Sequence, residues 1–296
     1  MEIHQTDDGI FIGQQKYARE VLKKFNMESC KEMSTPLMQN EKLCKDDSSN
    51  RVDERLYISL IGCLMYLIAT QPDIQFAVSL LSRFMYCASE LHLKSAKRVL
   101  RYIKGTLEFG IMFGRLEEVN LHGFSNSDWA GSSDDVKSTL GYLFSLGSGY
   151  FSWSSKKQEV VAQSTAESEY VAAVAAVNQA LWIRKILADL KFTQEDQTVI
   201  NVDNQAAIAI SNNPVLHGKT KHFKIKYHFL REVQNNKEVV LVHCKSEDQL
   251  VDILTKALSK RRFEELRERI GVCIRRSKEC WKNVSSDASW EIPIFV

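Results

Sequence analysis

Prolines are scarce in this chain: four in 296 residues, with 13 glycines. So few breakers exclude a collagen-like or low-complexity protein and leave room for long regular elements. Long apolar runs are missing too. The longest, Leu60 to Ala69, has ten residues, against the roughly 18 that a membrane-crossing helix needs, so no membrane partner is expected. The N-terminus has neither the basic region nor the apolar region of a secretory signal, and an intracellular protein, cytoplasmic or nuclear, is expected. No C-x-x-C pair occurs among the seven cysteines. Their odd number and wide scatter point to a reducing compartment, with no disulfide framework and no structural zinc. Cys244 beside His243 reads as strand packing rather than a metal pair. An excess of one charge is also absent. Lys plus Arg number 39 and Asp plus Glu 37, a net +2, which excludes a histone-like or acidic-tail protein but permits local basic faces.

The 44% hydrophobic content is enough for buried cores, and the length suggests about two domains. A polar stretch from Lys42 to Arg55 reads as a loop that sets off a short N-terminal element. From Leu56 to Lys104 the periodicity is helical. Tyr57, Leu60, Ile61, Leu64, Met65 and Ile68 share one helical face, Pro72 breaks the run, and Ile74, Ala77, Val78, Leu81, Phe84 and Met85 repeat the pattern. A third helix, from about Leu91, carries Lys94, Lys97, Arg98, Arg101 and Lys104 at spacings of three and four. Such a stripe is often a solvated face. This one lacks the acidic partners of that arrangement, which makes contact with phosphates an equal alternative.

After Gly105 the period changes. Val119 to Asn126, Thr139 to Leu146 and Tyr150 to Trp153 read as strands. Ser164-x-x-Glu167 forms a capping box for a helix from about Ala166 to Lys191, with Tyr170, Val174, Val177 and Leu181 on its buried face. A strand at Thr198 to Val202 follows, then a short helix to Asn212, a basic helix from about Lys219 to Gln234 and a strand at Val239 to His243. A last helix, opened by Ser246-x-x-Gln249, has Leu250, Ile253, Leu254 and Ala257 on one face. This order defines an α/β domain with a mixed five-stranded sheet and flanking helices.

Four carboxylates sit at strand ends or first helical turns of that frame: Asp128, Glu169, Asp203 and Asp252. Hard divalent cations need oxygen ligands of this kind, and paired Mg²⁺ ions activate water for phosphodiester hydrolysis. Each residue also has a plain explanation. Asp203 suits a helix N-cap, Glu167 and Glu169 suit a helix dipole, and Asp252 suits a solvated helix face.

Seven ordered motifs turn this frame into a resemblance. Gly123-Phe-Ser-Asn-Ser-Asp-Trp-Ala-Gly131, Lys137-Ser-Thr-Leu-Gly-Tyr142, Ser152-Trp-Ser-Ser-Lys-Lys-Gln158 and Ser164-Thr-Ala-Glu-Ser-Glu-Tyr170 are four of them. Val202-Asp-Asn-Gln-Ala-Ala-Ile208, Thr220-Lys-His-Phe-Lys-Ile-Lys-Tyr-His-Phe229 and Asp248-Gln-Leu-Val-Asp-Ile-Leu-Thr-Lys256 complete the set. Together they resemble the RNase H domain of copia-type retrotransposon Pol polyproteins. Gly9-Ile-Phe-Ile-Gly-Gln-Gln-Lys-Tyr17, Ser34-Thr-Pro36, Tyr57-Ile-Ser-Leu-Ile-Gly62 and Arg98-Val-Leu-Arg-Tyr-Ile-Lys-Gly-Thr106 resemble the thumb and connection of the same reverse transcriptases. The resemblance divides the chain into a mainly helical thumb/connection remnant over 1–110, an RNase H-like domain over 111–271 and an unmatched tail over 272–296.

What the resemblance implies is hydrolysis of the RNA strand of RNA–DNA hybrids, with Mg²⁺, or Mn²⁺, held by Glu169, Asp203, Asp252 and the neighbouring Asp128. It also implies a reverse transcriptase palm domain as a partner, since the palm's paired aspartates are not among these residues and DNA synthesis by this chain alone is not expected. The Lys94, Lys97, Arg98 and Arg101 helix and the Lys219, Lys221, Lys224, Lys226 and Arg231 helix become candidate tracks for the nucleic-acid backbone, while His222 and His228 read as structural or phosphate-facing. One departure bears on catalysis. The family's first carboxylate position is Asn126, which offers one neutral oxygen in place of a bridging anion. Asp128 shares the strand face but lies about 6.5–7 Å further along, far beyond a magnesium–oxygen bond of about 2.1 Å. Impaired hydrolysis is expected, and the alternative is a catalytically dead nucleic-acid-binding or host-recruited interaction protein.

Overall fold

The computed structural model describes residues 1–275 apart from 8, 117 and 213–220, with backbone alone at 212 and 221–227. The chain opens with a hairpin in which β1 (Glu2–Thr6) lies antiparallel to β2 (Gly9–Gly13), followed by α1 (Gln15–Lys24). A long polar connection leads to α2 (Glu54–Leu67). The Asp53 carboxylate caps it by accepting the N–H groups of Arg55 and Leu56. Tyr57, Leu60, Ile61, Leu64 and Leu67 form its buried face, while Met65, expected there, is exposed at the edge of the stripe. Pro72 ends the run in a single 3₁₀ turn, Pro72–Ile74, and α3 (Gln75–Ser82) follows. α4 (Glu90–Gly105) starts from a capping box between Ser89 and His92.

β3 (Phe109–Gly114) then pairs with β2. The expected helices are present, but they share this region with a sheet that the helical periodicity does not announce. β4 (His122–Ser127), β5 (Thr139–Ser145) and β6 (Tyr150–Lys157) form an antiparallel meander. α5 (Thr165–Asp189) crosses back to β7 (Thr198–Val202), which runs parallel to β4. α6 (Gln205–Asn212) and α7 (Lys221–Asn235) lead to β8 (Val239–His243), parallel to β7. The strand order is β6-β5-β4-β7-β8, so β4 is central. This is the mixed five-stranded sheet with flanking helices expected from the element order.

The C-terminal elements differ from expectation. Ser246–Asp248 is one 3₁₀ turn, and α8 (Asp252–Thr255) is a single α-turn rather than the start of a long helix. Gln249, expected to complete a capping box, instead donates from Nε2 to the Ser125 carbonyl at 3.0 Å. α9 (Lys260–Arg269) and β9 (Val272–Ile274) follow. β9 pairs with β3 and completes a second sheet in the order β1-β2-β3-β9. The expected boundary at 110/111 therefore falls inside β3, and the segment from 272 begins as a strand.

Two cores result. On one face of the larger sheet, Tyr170, Val174 and Val177 of α5 pack with Phe144, Ile200, Leu230 and Leu241. On the other face, Phe124, Leu143 and Tyr150 join the core of α2, α3 and α4, together with Ile253, Leu254, Phe263 and Leu266. α5 is long and apolar enough to cross a membrane by length and composition. Its first half is buried almost all round, including Ala172, Ala173, Ala176 and Ala180, which is the pattern of a core helix. Cys30, Cys44, Cys63, Cys87 and Cys244 are free. Cys273 is disulfide-bonded, a correction to the disulfide-free chain expected: the scatter of the cysteines along the sequence carries no information about which of them meet in space.

Candidate active site

β4 carries Ser125, Asn126 and Ser127 into the middle of the sheet, all three buried. Its parallel register with β7 pairs Phe124 with Asn201. Two residues further on, just past the end of β7, Asp203 comes level with Asn126. α5 contributes Glu169 from its first turns, with Ser164 capping the helix. The Ser127 N–H donates to Glu169 Oε1 at 3.1 Å. Asp252 opens α8, and Asn126 Nδ2 donates to its Oδ1 at 2.6 Å. Lys256 Nζ lies 2.8 Å from that same oxygen.

Two buried glutamines hold β4 in place. Gln158 Nε2 donates to Ser127 Oγ at 3.0 Å and to the Ser168 carbonyl at 2.9 Å, tying β4 to the start of α5. Gln249 ties β4 to the approach to α8, and its Oε1 accepts the Val251 N–H at 3.2 Å. Gly141 pairs with Asn126 across β4 and β5. A Cβ at Gly141 would stand 2.7 Å from Val251 Cγ1, so only glycine lets α8 lie this close to the sheet. Gln158, Gln249, Gly141 and Lys256 all lie inside the motifs read in the sequence, yet none stands out there by its chemistry.

The charges of the cluster follow from burial and mutual repulsion. Burial pushes the Glu169 carboxyl well above its ordinary range, with Asp203 and Asp252 adding to the rise, while the Ser127 N–H and Lys256 oppose it. Glu169 Oε2 is buried and has no hydrogen-bond partner. Asp203 is raised by burial and then by Asp252. The structure thus brings together Asn126, Glu169, Asp203 and Asp252, as the motif order implies. It diverts Asp128, whose Oδ1 accepts the Thr139 N–H in the turn after β4. There the chain bends through Ala130 at φ 55°, so Asp128 is bound into the loop. Burial raises its carboxyl to about 6, against the pull of the Thr139 N–H, Arg83 and Lys256.

A raised carboxyl holds its proton more tightly in the folded protein than in the unfolded one. The contribution of Asp128 is therefore most favourable below pH 4 and declines as pH rises from about 4 to about 6. Ionising it costs up to about 3 kcal/mol at pH 7. Asp128→Asn keeps an oxygen for the Thr139 N–H and removes that cost. Denaturant unfolding should show the variant matching the parent near pH 4 and exceeding it by about 1–3 kcal/mol at pH 7.5. An advantage that does not grow with pH would count against the assignment.

Does this cluster fit a resident metal? Among the described residues, no three His, Cys, Asp or Glu side chains stand close enough together to clasp an ion. Asn126 is neutral, and Asp252 Oδ1 is already met by an amide N–H and an ammonium. In this arrangement the residues do not fit a bound metal pair.

The basic stripe of α4 divides in two. Arg98 donates to Thr35 Oγ1 at 2.9 Å, Arg101 Nε to the Lys31 carbonyl at 2.6 Å and Lys104 Nζ to the Cys30 carbonyl at 2.9 Å. These three hold down the segment after α1, which supplies a packing reason for charges that the sequence leaves unpaired. Lys94 and Lys97 are exposed. Arg231 is half-buried on α7 and His228 is exposed beside it. Lys219 lies outside the described residues, as do the side chains of Lys221, His222, Lys224 and Lys226.

An antiparallel meander extended by two parallel strands, with acidic side chains gathered where the central strands end, defines an RNase H-like domain. No family model matches the chain. The retrovirus-related Pol polyprotein from transposon RE1 of Arabidopsis thaliana is 38% identical over 272 residues, 92% of this chain and 19% of that protein. The corresponding polyprotein from transposon TNT 1-94 of Nicotiana tabacum is 35% identical over 275 residues, 90% of this chain and 21% of that one. A crystal structure of LC11-RNase H1 in complex with an RNA/DNA hybrid aligns with a TM-score of 0.34 and 13% identity, over 46% of this chain and 94% of its own. The chain belongs to the family of copia-type retrotransposon Pol polyproteins. It spans about a fifth of the length of these relatives.

Proposed function

We propose that this chain is an RNase H-type module that grips RNA–DNA hybrids and whose hydrolysis of the RNA strand is impaired at Asn126. The observation that carries this reading is the 2.6 Å hydrogen bond from Asn126 Nδ2 to Asp252 Oδ1 at the centre of a buried carboxylate cluster. An aspartate at that position would add an anion to the cluster. Asparagine instead donates to Asp252 and occupies one of its carboxylate oxygens. Divalent ions, Mg²⁺ or Mn²⁺, supply a nucleophilic water and charge neutralisation in reactions of this class, and Asn126 removes one anionic ligand for them.

Binding rests on other residues. A hybrid presents A-like geometry and 2′-hydroxyl groups on one strand, and recognition of that shape tolerates any sequence. The exposed Lys94 and Lys97 and the basic residues of α7 supply phosphate contacts. A reverse transcriptase palm domain is the natural second partner, contributed by the rest of a Pol chain. Fluorescence anisotropy with a labelled hybrid is expected to show binding whose logarithm falls linearly with the logarithm of salt, at a slope of about −0.7 to −0.9 per phosphate contacted. With Mg²⁺ or Mn²⁺ the labelled RNA strand should survive essentially uncut. Absence of salt-sensitive binding would remove the hybrid as a ligand, and efficient cleavage would remove the impairment.

A further inference from the structure

Lys256 occupies a singular place in the acidic cluster. It follows Asp252 by one helical turn, and its own N–H bonds back to the Asp252 carbonyl at 3.2 Å, which fixes the start of its side chain. Nζ then reaches Asp252 Oδ1 at 2.8 Å. The Asp252 side chain is only 10% exposed and that of Lys256 is 50% exposed, so the ion pair sits at the mouth of the cluster with its anionic side inward. From the sheet side, Asn126 Nδ2 donates to that same oxygen at 2.6 Å, so one carboxylate oxygen of Asp252 is met by both an amide and an ammonium.

We infer that Lys256 is the resident cation of this centre: with the Asn126 amide, its ammonium supplies at Asp252 the positive charge that a divalent ion would otherwise bring. The inference goes beyond the proposed function, because it concerns how the carboxylates coexist and stands whether or not a hybrid binds. Close carboxylates repel one another unless a positive charge lies between them or a proton is taken up. A tethered ammonium does this at no cost in association entropy, whereas a free ion must be drawn from solution and stripped of water. Lys256 and a divalent ion would compete for one oxygen of Asp252, so the chain as it stands binds such ions weakly.

The test is thermal melting of the full chain at neutral pH, with EDTA or with millimolar Mn²⁺ as the only probe. The parent should melt at the same temperature in both. Lys256→Met should melt lower in EDTA, by roughly 4 °C, and regain most of that loss in Mn²⁺ by mass action. A parent that gains as much from Mn²⁺ as the variant does overturns the inference. So does a variant that melts like the parent in EDTA, or one whose loss Mn²⁺ leaves untouched. If Lys256→Met fails to fold, the double variant with Asp252→Asn, which removes the charge needing compensation, must fold and ignore Mn²⁺; a double variant that stays unfolded overturns it too. Hybrid anisotropy on the same samples reports the proposed function separately.

Discussion

Asn126→Asp is expected to raise divalent-dependent cleavage of a labelled RNA–DNA hybrid by about 100-fold or more, the scale on which single charge-stabilising groups act in active sites. The structure gives the reason. Position 126 lies near the C-terminal end of the central strand, level with Asp203 and in contact with Asp252. A carboxylate there adds a fourth anion to Glu169, Asp203 and Asp252, at the position that the motif resemblance assigns to the first carboxylate, and it also takes away the amide donor that Asp252 Oδ1 now accepts. The change should be costly without metal, because two carboxylates at this separation repel. Melting in EDTA should fall below the parent and recover when Mg²⁺ or Mn²⁺ is added. Both readouts belong to one cause, so they should appear together. Unchanged cleavage in a variant that folds and binds hybrid would mean that the four positions are not aligned for hydrolysis, and would leave the chain a binding module.

Much of this centre is legible in the sequence, and the limits of that legibility are physical. The larger sheet is readable because each of its strands sits between clear turn residues, and α5 because Ser164 and Glu167 mark its start. The convergence of Glu169, Asp203 and Asp252 follows from the order of elements, since a parallel neighbour places Asp203 beside β4. The second sheet is not readable. β3 and β9 are far apart in the chain, and β9 is a three-residue strand whose only support is its partner. The helix expected after Ser246 fails for a different reason. Gln249 is drawn to the Ser125 carbonyl, a tertiary bond that outweighs local capping. Arg98 and Arg101 show the reverse case. They look free in sequence because their acceptors are a hydroxyl and a backbone carbonyl on a distant loop rather than acidic side chains. Asp128 and Asn126 are two residues apart on paper, but β4 ends between them and sends one into a turn.

Gly141→Val is expected to undo the centre without touching any charged group. Gly141 pairs with Asn126 across β4 and β5, and the missing side chain is the space that α8 occupies. A Cβ there would lie 2.7 Å from Val251 Cγ1, 3.1 Å from Leu254 Cβ and 3.1 Å from Thr255 Cγ2. Leu254 is fully buried and Val251 is too, so neither has room to retreat. The sheet cannot yield either, since β5 is paired on both edges. The remaining response is for α8 to lift away, carrying Asp252 and Lys256 with it. Overpacking of this kind costs about 1–3 kcal/mol, which for a chain of this size lowers Tm by roughly 3–10 °C. The larger effect falls on chemistry. A displacement of about 1 Å in a catalytic group costs on the order of 100-fold, so Gly141→Val placed on top of Asn126→Asp should erase the cleavage that Asn126→Asp brings, while hybrid binding through Lys94, Lys97 and α7 persists. A double variant that cuts as well as Asn126→Asp alone would show that the seat of Asp252 on this glycine does not set the geometry of the centre.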